Sequence, residues 1–386
     1  MKRYLILLLV VILLFNLVFS IMENNKKIVR EKRAIFISYI ELSKYIKNYD
    51  KSISIRNIDM MINNIEKLGF NMIILQVRSF SDAIYKSKIF PWSSSVSVSE
   101  GVYPGYDVLD YFIKCAHNKN ISIYAWINPY RVRNSGDINS ISKDNPAFKY
   151  INTTSLYVGN GIFYNPASDD VIDLIVDGVL EIVSNYDVDG ILFDDYFYPS
   201  NDIDLVEYNE YISTHEYISI SDYHLYNVNR MIKKVHDVCH KYKKVFGISP
   251  DGNIDNNYNK NFADVKKWCS SGEYIDYIMP QIYYGFYNGS KPFVSVLDEW
   301  ESIVSSDVDI FIVLAFYKVG SMDSYAKDGI DEWVINNDII MREIILSRNI
   351  KNYKGFALFR YDYLFNEDLK TENTLHEIEN MKKILN

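Results

Sequence analysis

Residues 189–199, "DGILFDDYFYP", place two adjacent aspartates directly after a short apolar run. A run of Ile, Leu and Phe is typical of a strand that is buried on both faces, as in a parallel sheet covered by helices. Asp194 and Asp195 then fall at the carboxyl end of that strand. The stretch therefore predicts a parallel α/β architecture with carboxylates at the edge where ligands bind in such folds.

Seven further apolar runs share this character, and amphipathic segments such as 56–68, 170–186 and 298–306 separate them as predicted crossover helices. Together with 188–195, the runs are 33–40, 71–78, 121–129, 244–250, 274–284, 309–318 and 355–361. Helix-to-strand links are short, whereas strand-to-helix links are long. This pattern predicts an α/β fold, a (β/α)8 TIM barrel with long strand-to-helix loops at its C-terminal face. An open doubly wound sheet is the alternative, but no Gly-rich phosphate loop follows the first predicted strand.

The first twenty residues begin with Lys2 and Arg3 and continue as an apolar stretch that ends near Ser20. This pattern predicts a secretory signal peptide or an N-terminal membrane anchor over 1–20, followed by a polar tether over 21–32 and the barrel over 33–386. We therefore expect an exported protein that is periplasmic, extracellular or anchored at the outer side of the inner membrane. Membrane contact is expected only through the N-terminal segment, if it is not cleaved.

Charge and composition exclude several function classes. The net charge is -9 with a pI near 5.3, which argues against nucleic acid as a partner because phosphate binding needs concentrated basic surface. The three cysteines are too few for a disulfide framework, and no GxSxG elbow is present. His236 and His240 are spaced i, i+4, but they lack the HExxH pattern and fall within a predicted helix, so no metal site and no cofactor is predicted.

The doubled aspartate raises the question of which carboxylate acts. Adjacent strand residues point to opposite sides, so we expect one of the pair to face substrate and the other to brace the loop. By analogy with other barrel glycosidases, which have an aspartate at the end of the corresponding strand, we take Asp194 as the candidate nucleophile or base. Most glycosidases need a second carboxyl group across the scissile bond, and Asp251 in "ISPDGN" and Asp82 are the catalytic candidates for it. A simple turn is the alternative interpretation of "PDG".

Several other predicted strands also end in polar or aromatic residues, which is the layout of a polyol-binding cleft. They are Gln76, Arg78, Trp126, Asn128, Gln281, Tyr283, Tyr284, Tyr317, Lys318, Arg360 and Asp362. For any single one of them, a hydrogen bond that anchors a loop is the alternative. Tyr196 draws attention because it directly follows the aspartate pair, and aromatic faces suit the C–H faces of sugar rings.

Several stretches together resemble the glycosyl-hydrolase-like family 10 barrel proteins, among them "GFNMIILQVRSFSDAIYKSKIFPWS", "FGISPDGNIDNNY" and "GFALFRYDYLF", along with "DGILFDDYFYP" itself. The likeness runs from about Arg33 to about Leu364. It implies a TIM barrel and an exported protein that acts on polysaccharide, with a peptidoglycan-type glycan of the bacterial cell wall as the substrate of some members. The positions that match the family motifs are Gln76, Arg78, Asp82, Trp126, Asn128, Arg131, Asp194, Asp195, Tyr196, Gln281 and Tyr283.

The chain departs from the family pattern at Leu192, where the family has His, and at His224 and Leu225, where it has an Arg pair. We expect an exported glycoside hydrolase, with the matched polar and aromatic positions and Arg360 binding substrate. The departures leave open a barrel that binds glycan without cleaving it. A metal-dependent hydrolase that uses clustered aspartates is a third possibility.

Overall fold

A computed structural model describes residues 31–47 and 50–385 of the 386-residue chain. The predicted signal or anchor lies outside the described residues, as does nearly all of the predicted tether. The first strand begins at Lys32, so the last tether residue already belongs to the barrel. Within the described residues, no helix combines the length and the apolar character needed to cross a membrane.

A closed ring of parallel strands forms the centre of the fold. Its strands are β1 (Lys32–Ile37), β2 (Met72–Arg78), β3 (Ser122–Ile127), β7 (Gly190–Phe193), β8 (Val245–Ile248), β9 (Tyr277–Ile278), β10 (Gln281–Ile282), β11 (Asp309–Leu314) and β12 (Tyr353–Leu358). β9 and β10 together form one strand of the barrel. β9 closes the ring by pairing with β11, with Tyr277 opposite Asp309. The predicted (β/α)8 TIM barrel is confirmed.

Helices surround the ring and connect its strands. They are α1 (Tyr39–Tyr45), α2 (Lys51–Lys67), α3 (Val108–His117), α4 (Asp169–Asn185), α5 (Leu205–Thr214), α6 (Ile220–Lys241), α7 (Ile254–Asn259), α8 (Val265–Cys269), α9 (Phe293–Ile303), α10 (Glu332–Ile335), α11 (Ile339–Ser347), α12 (Tyr361–Phe365) and α13 (Glu372–Leu385). Side-chain caps start several of them: Asp107 accepts from the backbone N–H of Asp110 before α3, and Ser219 accepts from Asp222 before α6.

The long loops lie on the carboxyl side of the strands, as predicted. Residues 79–107 follow β2, residues 128–168 follow β3 and residues 194–204 follow β7. The loop after β3 contains a small antiparallel sheet, formed by β4 (Arg131–Arg133), β5 (Leu156–Val158) and β6 (Ile162–Tyr164). These loops build the mouth of the barrel.

The strands are shorter than the apolar runs suggest, and two of the differences affect the site. The run 188–195 is a strand only from Gly190 to Phe193, so both aspartates follow the strand end. The run 274–284 is interrupted by Pro280, which lacks the backbone N–H that a continuous strand would donate.

Side chains alternate between two hydrophobic layers. Leu192 lies in the barrel interior with Trp126, whereas Ile191 and Phe193 pack in the layer between strands and helices. This alternation follows from the two-residue period of a strand. The inward column of β7 therefore continues from Leu192 to Asp194 at the barrel mouth.

Gly247 gives a direct test of the interior packing. It lies in β8 opposite Tyr277, and a Cβ atom at this position would come within 2.3 Å of the Tyr277 ring. The ring is also held by a 2.7 Å hydrogen bond from its hydroxyl to the Ile191 carbonyl. We expect Gly247→Ala to lower the free energy of unfolding by about 1–3 kcal/mol, because an overpacked core must shift. Urea denaturation measures the loss.

The matched control is Gly272→Ala, whose new Cβ would have its nearest contact at 3.6 Å. Gly272 is half-buried in a turn, and because the new methyl group makes only ordinary contacts, this change should leave the free energy of unfolding within about 0.5 kcal/mol of the parent value. Equal stability of the two variants would contradict the packing described for Gly247.

Candidate active site

A cavity of about 410 Å³ opens at the carboxyl ends of the barrel strands. Nine of its lining residues belong to the predicted site: Gln76, Trp126, Arg131, Asp194, Asp195, Tyr196, Gln281, Tyr283 and Arg360. The strand-end interpretation thus brings together residues from five of the barrel's strands and the loops that follow them. Their roles in catalysis and binding stay predictions.

Asp194 lies at the base of this cavity and is 5% exposed. Its Oδ2 accepts a hydrogen bond of 3.2 Å from Trp126 Nε1 and a second one from Asn128 Nδ2. Burial raises the pKa of Asp194, while the Arg131 guanidinium and the hydrogen bonds from Trp126 and Asn128 oppose that rise. The neighbours therefore stabilise the ionised form of a carboxyl group that lies out of water.

A directed chain of amides positions Asp194. The backbone N–H of Tyr39 donates to Gln76 Oε1 at 2.8 Å, so the Gln76 amide nitrogen is the end that donates to Asn128 Oδ1, at 2.6 Å. Asn128 in turn presents its own amide nitrogen to Asp194. A backbone donor thereby fixes the orientation of both amides, because an amide oxygen can only accept and its nitrogen can only donate.

Asp195 also lines the cavity, which corrects the expectation that one aspartate of the pair would turn away to brace the loop. The expectation assumed that the strand continues, but β7 ends at Phe193, so strand alternation no longer separates the two side chains. Burial raises the pKa of Asp195 to about 8, and the charge of Asp194 adds to the rise. Burial and the neighbouring Asp194 charge therefore both favour the protonated form of Asp195.

Arg131 brings positive charge to this pair. It is the first residue of β4, and its Nε donates to the Ser79 carbonyl at 2.9 Å. The guanidinium lies 4.8 Å from the centre of the Phe80 ring and 5.9 Å from that of Tyr196. The Tyr196 side chain is 61% exposed and forms part of the cavity rim. Arg131 thus joins the aspartates to an exposed aromatic surface.

Aromatic rings form the opposite wall. Tyr283 packs edge-on against Tyr317 with ring centres 5.6 Å apart, and it also contacts Phe359 at 6.0 Å. Tyr363 continues this surface at 6.0 Å from Tyr317. Aromatic faces beside buried carboxylates suit a ligand with both apolar C–H faces and hydroxyl groups.

Arg360 has a buried partner that the sequence interpretation missed. Glu41 is fully buried and forms an ion pair with Arg360 Nη1. The same carboxylate accepts from the Ser38 backbone N–H at 2.9 Å and from its hydroxyl at 2.6 Å. The signal was present as the capping box "SYIE" directly after β1, in which Ser38 and Glu41 satisfy the start of α1.

Other lining residues were also missed: Phe36, Ser38, Tyr39, Ile40, Ser249, Tyr317, Phe359 and Tyr363. Tyr317 was noted as a strand-end residue but not assigned to the site. Three of the others can be identified if the alternation of inward-facing side chains is extended by two residues beyond each strand. Ser38 follows the interior residue Phe36 by two positions, as Ser249 follows Gly247 and Phe359 follows Ala357.

Four predicted site residues lie outside the cavity lining: Arg78, Asp82, Asn128 and Asp251. Arg78 is buried in the layer between strand and helix, with its guanidinium 4.0 Å from the Phe90 ring, and a Cβ on Gly178 would collide with it. Asp82 is 2% exposed within the loop after β2, where burial raises its pKa to about 6. Arg78 and Asp82 therefore lie buried beneath the mouth of the barrel and do not line the cavity.

Asp251, the other candidate for the second carboxylate, is engaged in its own loop. Its Oδ1 accepts from the Asn253 backbone N–H at 2.7 Å, and its Oδ2 accepts from Asn256 Nδ2 at 3.2 Å. This is the turn arrangement that "PDG" left open. Its charge still acts at the cavity, because Asp251 contributes to the raised pKa of Asp195.

Comparison with known proteins agrees with this geometry. The family model for glycosyl hydrolase-like 10 matches residues 31–331. The chain is 31% identical over 339 residues to glycosyl hydrolase YngK of Bacillus subtilis (strain 168), a match that covers 82% of this chain but only 64% of that protein. It is 30% identical over 335 residues to glycosyl hydrolase DigH of Escherichia coli (strain K12), covering 78% of this chain and 74% of that one.

Solved structures show the same fold at low sequence identity. The glycoside hydrolase domain of PgaB (BpsB) from Bordetella bronchiseptica superposes with a TM-score of 0.58 at 12% identity, covering 91% of this chain and 99% of that domain. The catalytic domain of β-amylase from Paenibacillus polymyxa superposes with a TM-score of 0.55 at 9% identity, covering 92% and 98%. By its sequence match over most of its length, the chain belongs to the glycosyl hydrolase-like 10 family.

Proposed function

We propose that this protein is an exported glycoside hydrolase that cleaves a polysaccharide, with a peptidoglycan-type glycan of the bacterial cell wall as its substrate. The observation that carries the proposal is the aspartate pair that lines the cavity, in which Asp194 accepts two side-chain hydrogen bonds. Burial and the Asp194 charge favour the protonated form of Asp195. The curated relatives, both named glycosyl hydrolases, support the same class of reaction. Export rests on the apolar N-terminal stretch.

The two aspartates have different roles in the hydrolysis of the glycosidic bond. Asp195 donates its proton to the oxygen of the leaving sugar as the bond between that oxygen and the anomeric carbon breaks. The Asp194 carboxylate stabilises the positive charge that develops on the sugar ring and acts as the base or nucleophile on the anomeric carbon side. Water completes the reaction by adding OH to the anomeric carbon, and its remaining proton restores the acid.

The surrounding side chains suit a sugar chain. Tyr283 and Tyr317 offer ring faces, while Gln281 and Arg360 offer hydrogen-bond donors along the same wall. Gln281 Nε2 also donates to the Ser249 carbonyl at 2.8 Å, which holds its amide in place. Substrate binding by these residues would then orient the scissile bond over the aspartates.

A barrel that binds glycan without cleaving it is the competing proposal, motivated by Leu192, His224 and Leu225. Leu192 is buried in the barrel interior, and His224 pairs with the buried Asp204 at 2.9 Å behind the loop after β7. Leu225 packs in the outer hydrophobic layer. None of these three residues lines the described cavity, so the departures leave its polar groups in place. This placement favours hydrolysis over binding alone.

Substitution of the pair tests the assignment. We expect Asp194→Asn and Asp195→Asn each to reduce hydrolysis of purified cell-wall glycan by at least about 100-fold, because a positioned acid or base contributes that much to the rate. Reducing ends and products are measured by colorimetry and mass spectrometry, with plant-type glycans as comparison substrates. Asp170→Asn, on an exposed residue of α4, is the matched control and should retain full activity.

Two outcomes would contradict the proposal. Undiminished activity of Asp194→Asn would remove that residue from the mechanism. Saturable glycan binding by the parent protein with no release of reducing ends would instead establish the binding-only alternative.

Asp251→Asn tests whether Asp251, rather than Asp195, is the second carboxyl group. Because both Asp251 oxygens bond within their own loop, we expect this variant to lose less than about 10-fold in kcat/KM, well short of the loss in a variant that lacks the acid. Steady-state kinetics on the same glycan provide the measurement. A loss as large as that of Asp195→Asn would return the acid role to Asp251.

The raised pKa of Asp195 predicts a pH signature. Activity that requires its proton should fall as pH rises through about 8, and this alkaline limb should disappear from the residual activity of Asp195→Asn.

The raised pKa of Asp195 also predicts that the stability of the fold depends on pH. Folded Asp195 keeps its proton to about pH 8, whereas the unfolded side chain loses it near 3.8, so the folded state binds more protons and becomes less stable as pH rises between these values.

The Asn variant lacks this linkage. We therefore expect the Tm of Asp195→Asn, relative to the parent protein, to increase steadily between pH 4 and pH 8. A Tm difference that stays constant over this range would show that Asp195 titrates as it does in the unfolded chain.

A further inference from the structure

Three side chains with metal-binding atoms converge at the amino-terminal end of the barrel, away from the cavity. His236 and His240 lie one turn apart near the end of α6, with ring centres 3.8 Å apart. Asp276 directly precedes β9. One ligand atom from each of the three residues lies within 4.8 Å of the other two, and His240 Nε2 is 2.8 Å from Asp276 Oδ1. Two imidazoles and a carboxylate are a ligand set that divalent transition metals use.

The fold contains a second His–Asp pair in an equivalent position. This pair shows which of the side chains are needed only to connect a helix to a strand. His117 ends α3 and lies 3.0 Å from Asp189, which directly precedes β7. Asp189 Oδ2 accepts from the backbone N–H at the start of β3, at 2.7 Å, just as Asp276 Oδ2 accepts from the backbone N–H of Phe246 in β8 at 2.7 Å. A His–Asp pair thus joins helix end to strand start at both places.

The two copies differ four residues before the histidine. In α3 this position holds Ile113, which is 6% exposed and packs in the hydrophobic layer. In α6 the equivalent position holds His236, which is 4% exposed. Since the first copy functions structurally with an apolar side chain there, the second imidazole is not needed to connect helix and strand.

His236 is also unsatisfied as a structural residue. Neither of its ring nitrogens has a hydrogen-bond partner among the described residues, and Asp237 Oδ1, at 3.7 Å from Nδ1, is beyond hydrogen-bonding distance. A buried polar group without a partner costs free energy, and such groups are rare in folded proteins. A metal ion would satisfy one of these nitrogens.

We propose that His236, His240 and Asp276 bind one divalent transition-metal ion, with Zn²⁺ as the ion that the two nitrogens and one oxygen fit best. Water completes the coordination from the open side, where the His240 side chain is 47% exposed. The bond from Phe246 to the second Asp276 oxygen holds the carboxylate towards the imidazoles, as partners of metal ligands commonly do. Mg²⁺ and Ca²⁺ prefer all-oxygen sites and do not fit.

The position of the site makes its role structural. The ligands join the end of α6 to the start of β9, while the aspartate pair lies at the carboxyl ends of the strands. Because only the folded chain brings the three ligands together, Zn²⁺ stabilises the fold by mass action and leaves the cavity unchanged.

Calorimetric titration of the metal-free, tag-free full chain with Zn²⁺ tests the proposal. We expect one Zn²⁺ per chain with the histidines intact, no binding of Mg²⁺, and a Zn²⁺-dependent increase in Tm. His236→Leu reproduces the apolar side chain found at Ile113, so the variant should stay folded without metal while its Zn²⁺ affinity falls by at least about 100-fold. His117→Ala, which removes the imidazole of the other pair, is the matched control and should bind Zn²⁺ as the parent does.

Several results would overturn the proposal. They are the absence of a Zn²⁺-dependent change in Tm for the parent chain, unchanged Zn²⁺ affinity in a folded His236→Leu, or an equal loss of affinity in His117→Ala. Should His236→Leu fail to fold, His240→Ala replaces it, because this half-exposed position tolerates truncation and the same loss of affinity is expected.

Discussion

The end of β7 at Phe193 is the constraint on which the site depends. Up to that residue, the two-residue period of the strand assigns Leu192 to the barrel interior and its neighbours to the helical layer. Beyond it, the backbone is free to turn both carboxyl groups into one cavity. Two acids in one poorly hydrated space cannot both ionise readily, so the strand boundary itself separates their protonation behaviour.

The strand pattern predicted the barrel because eight apolar runs with long loops on one side leave few other folds. It also predicted most of the cavity, since residues at the carboxyl ends of parallel strands must meet at one mouth. Gln76, Trp126 and Asp194 were found in this way. The sequence pattern does not reveal the exact residue at which each strand stops. At β7 the strand ends two residues earlier than predicted, and this brings Asp194 and Asp195 into the same cavity instead of pointing them to opposite sides.

Other residues escaped prediction because their signals are tertiary. Arg78 is the last residue of β2 and Arg360 follows the end of β12 by two residues, yet Arg78 packs on Phe90 behind the mouth. Contact with the neighbouring helix decides this position. Glu41 belongs to a local capping box, but its pairing with Arg360 joins opposite ends of the chain. His236 shows the same limit, because its carboxylate neighbour, Asp276, lies 40 residues later in the chain, directly before β9.

The amide chain from Gln76 through Asn128 to Asp194 has a consequence for proton movement. Amide groups donate hydrogen bonds but do not release their protons at ordinary pH. The chain therefore stabilises the charge of Asp194 but does not carry protons to or from it. Protons that leave or reach Asp194 must then travel through the cavity itself. In the proposed reaction, a sugar that fills this cavity would isolate the two aspartates from bulk water, so that the Asp195 proton is kept for the bond to be broken.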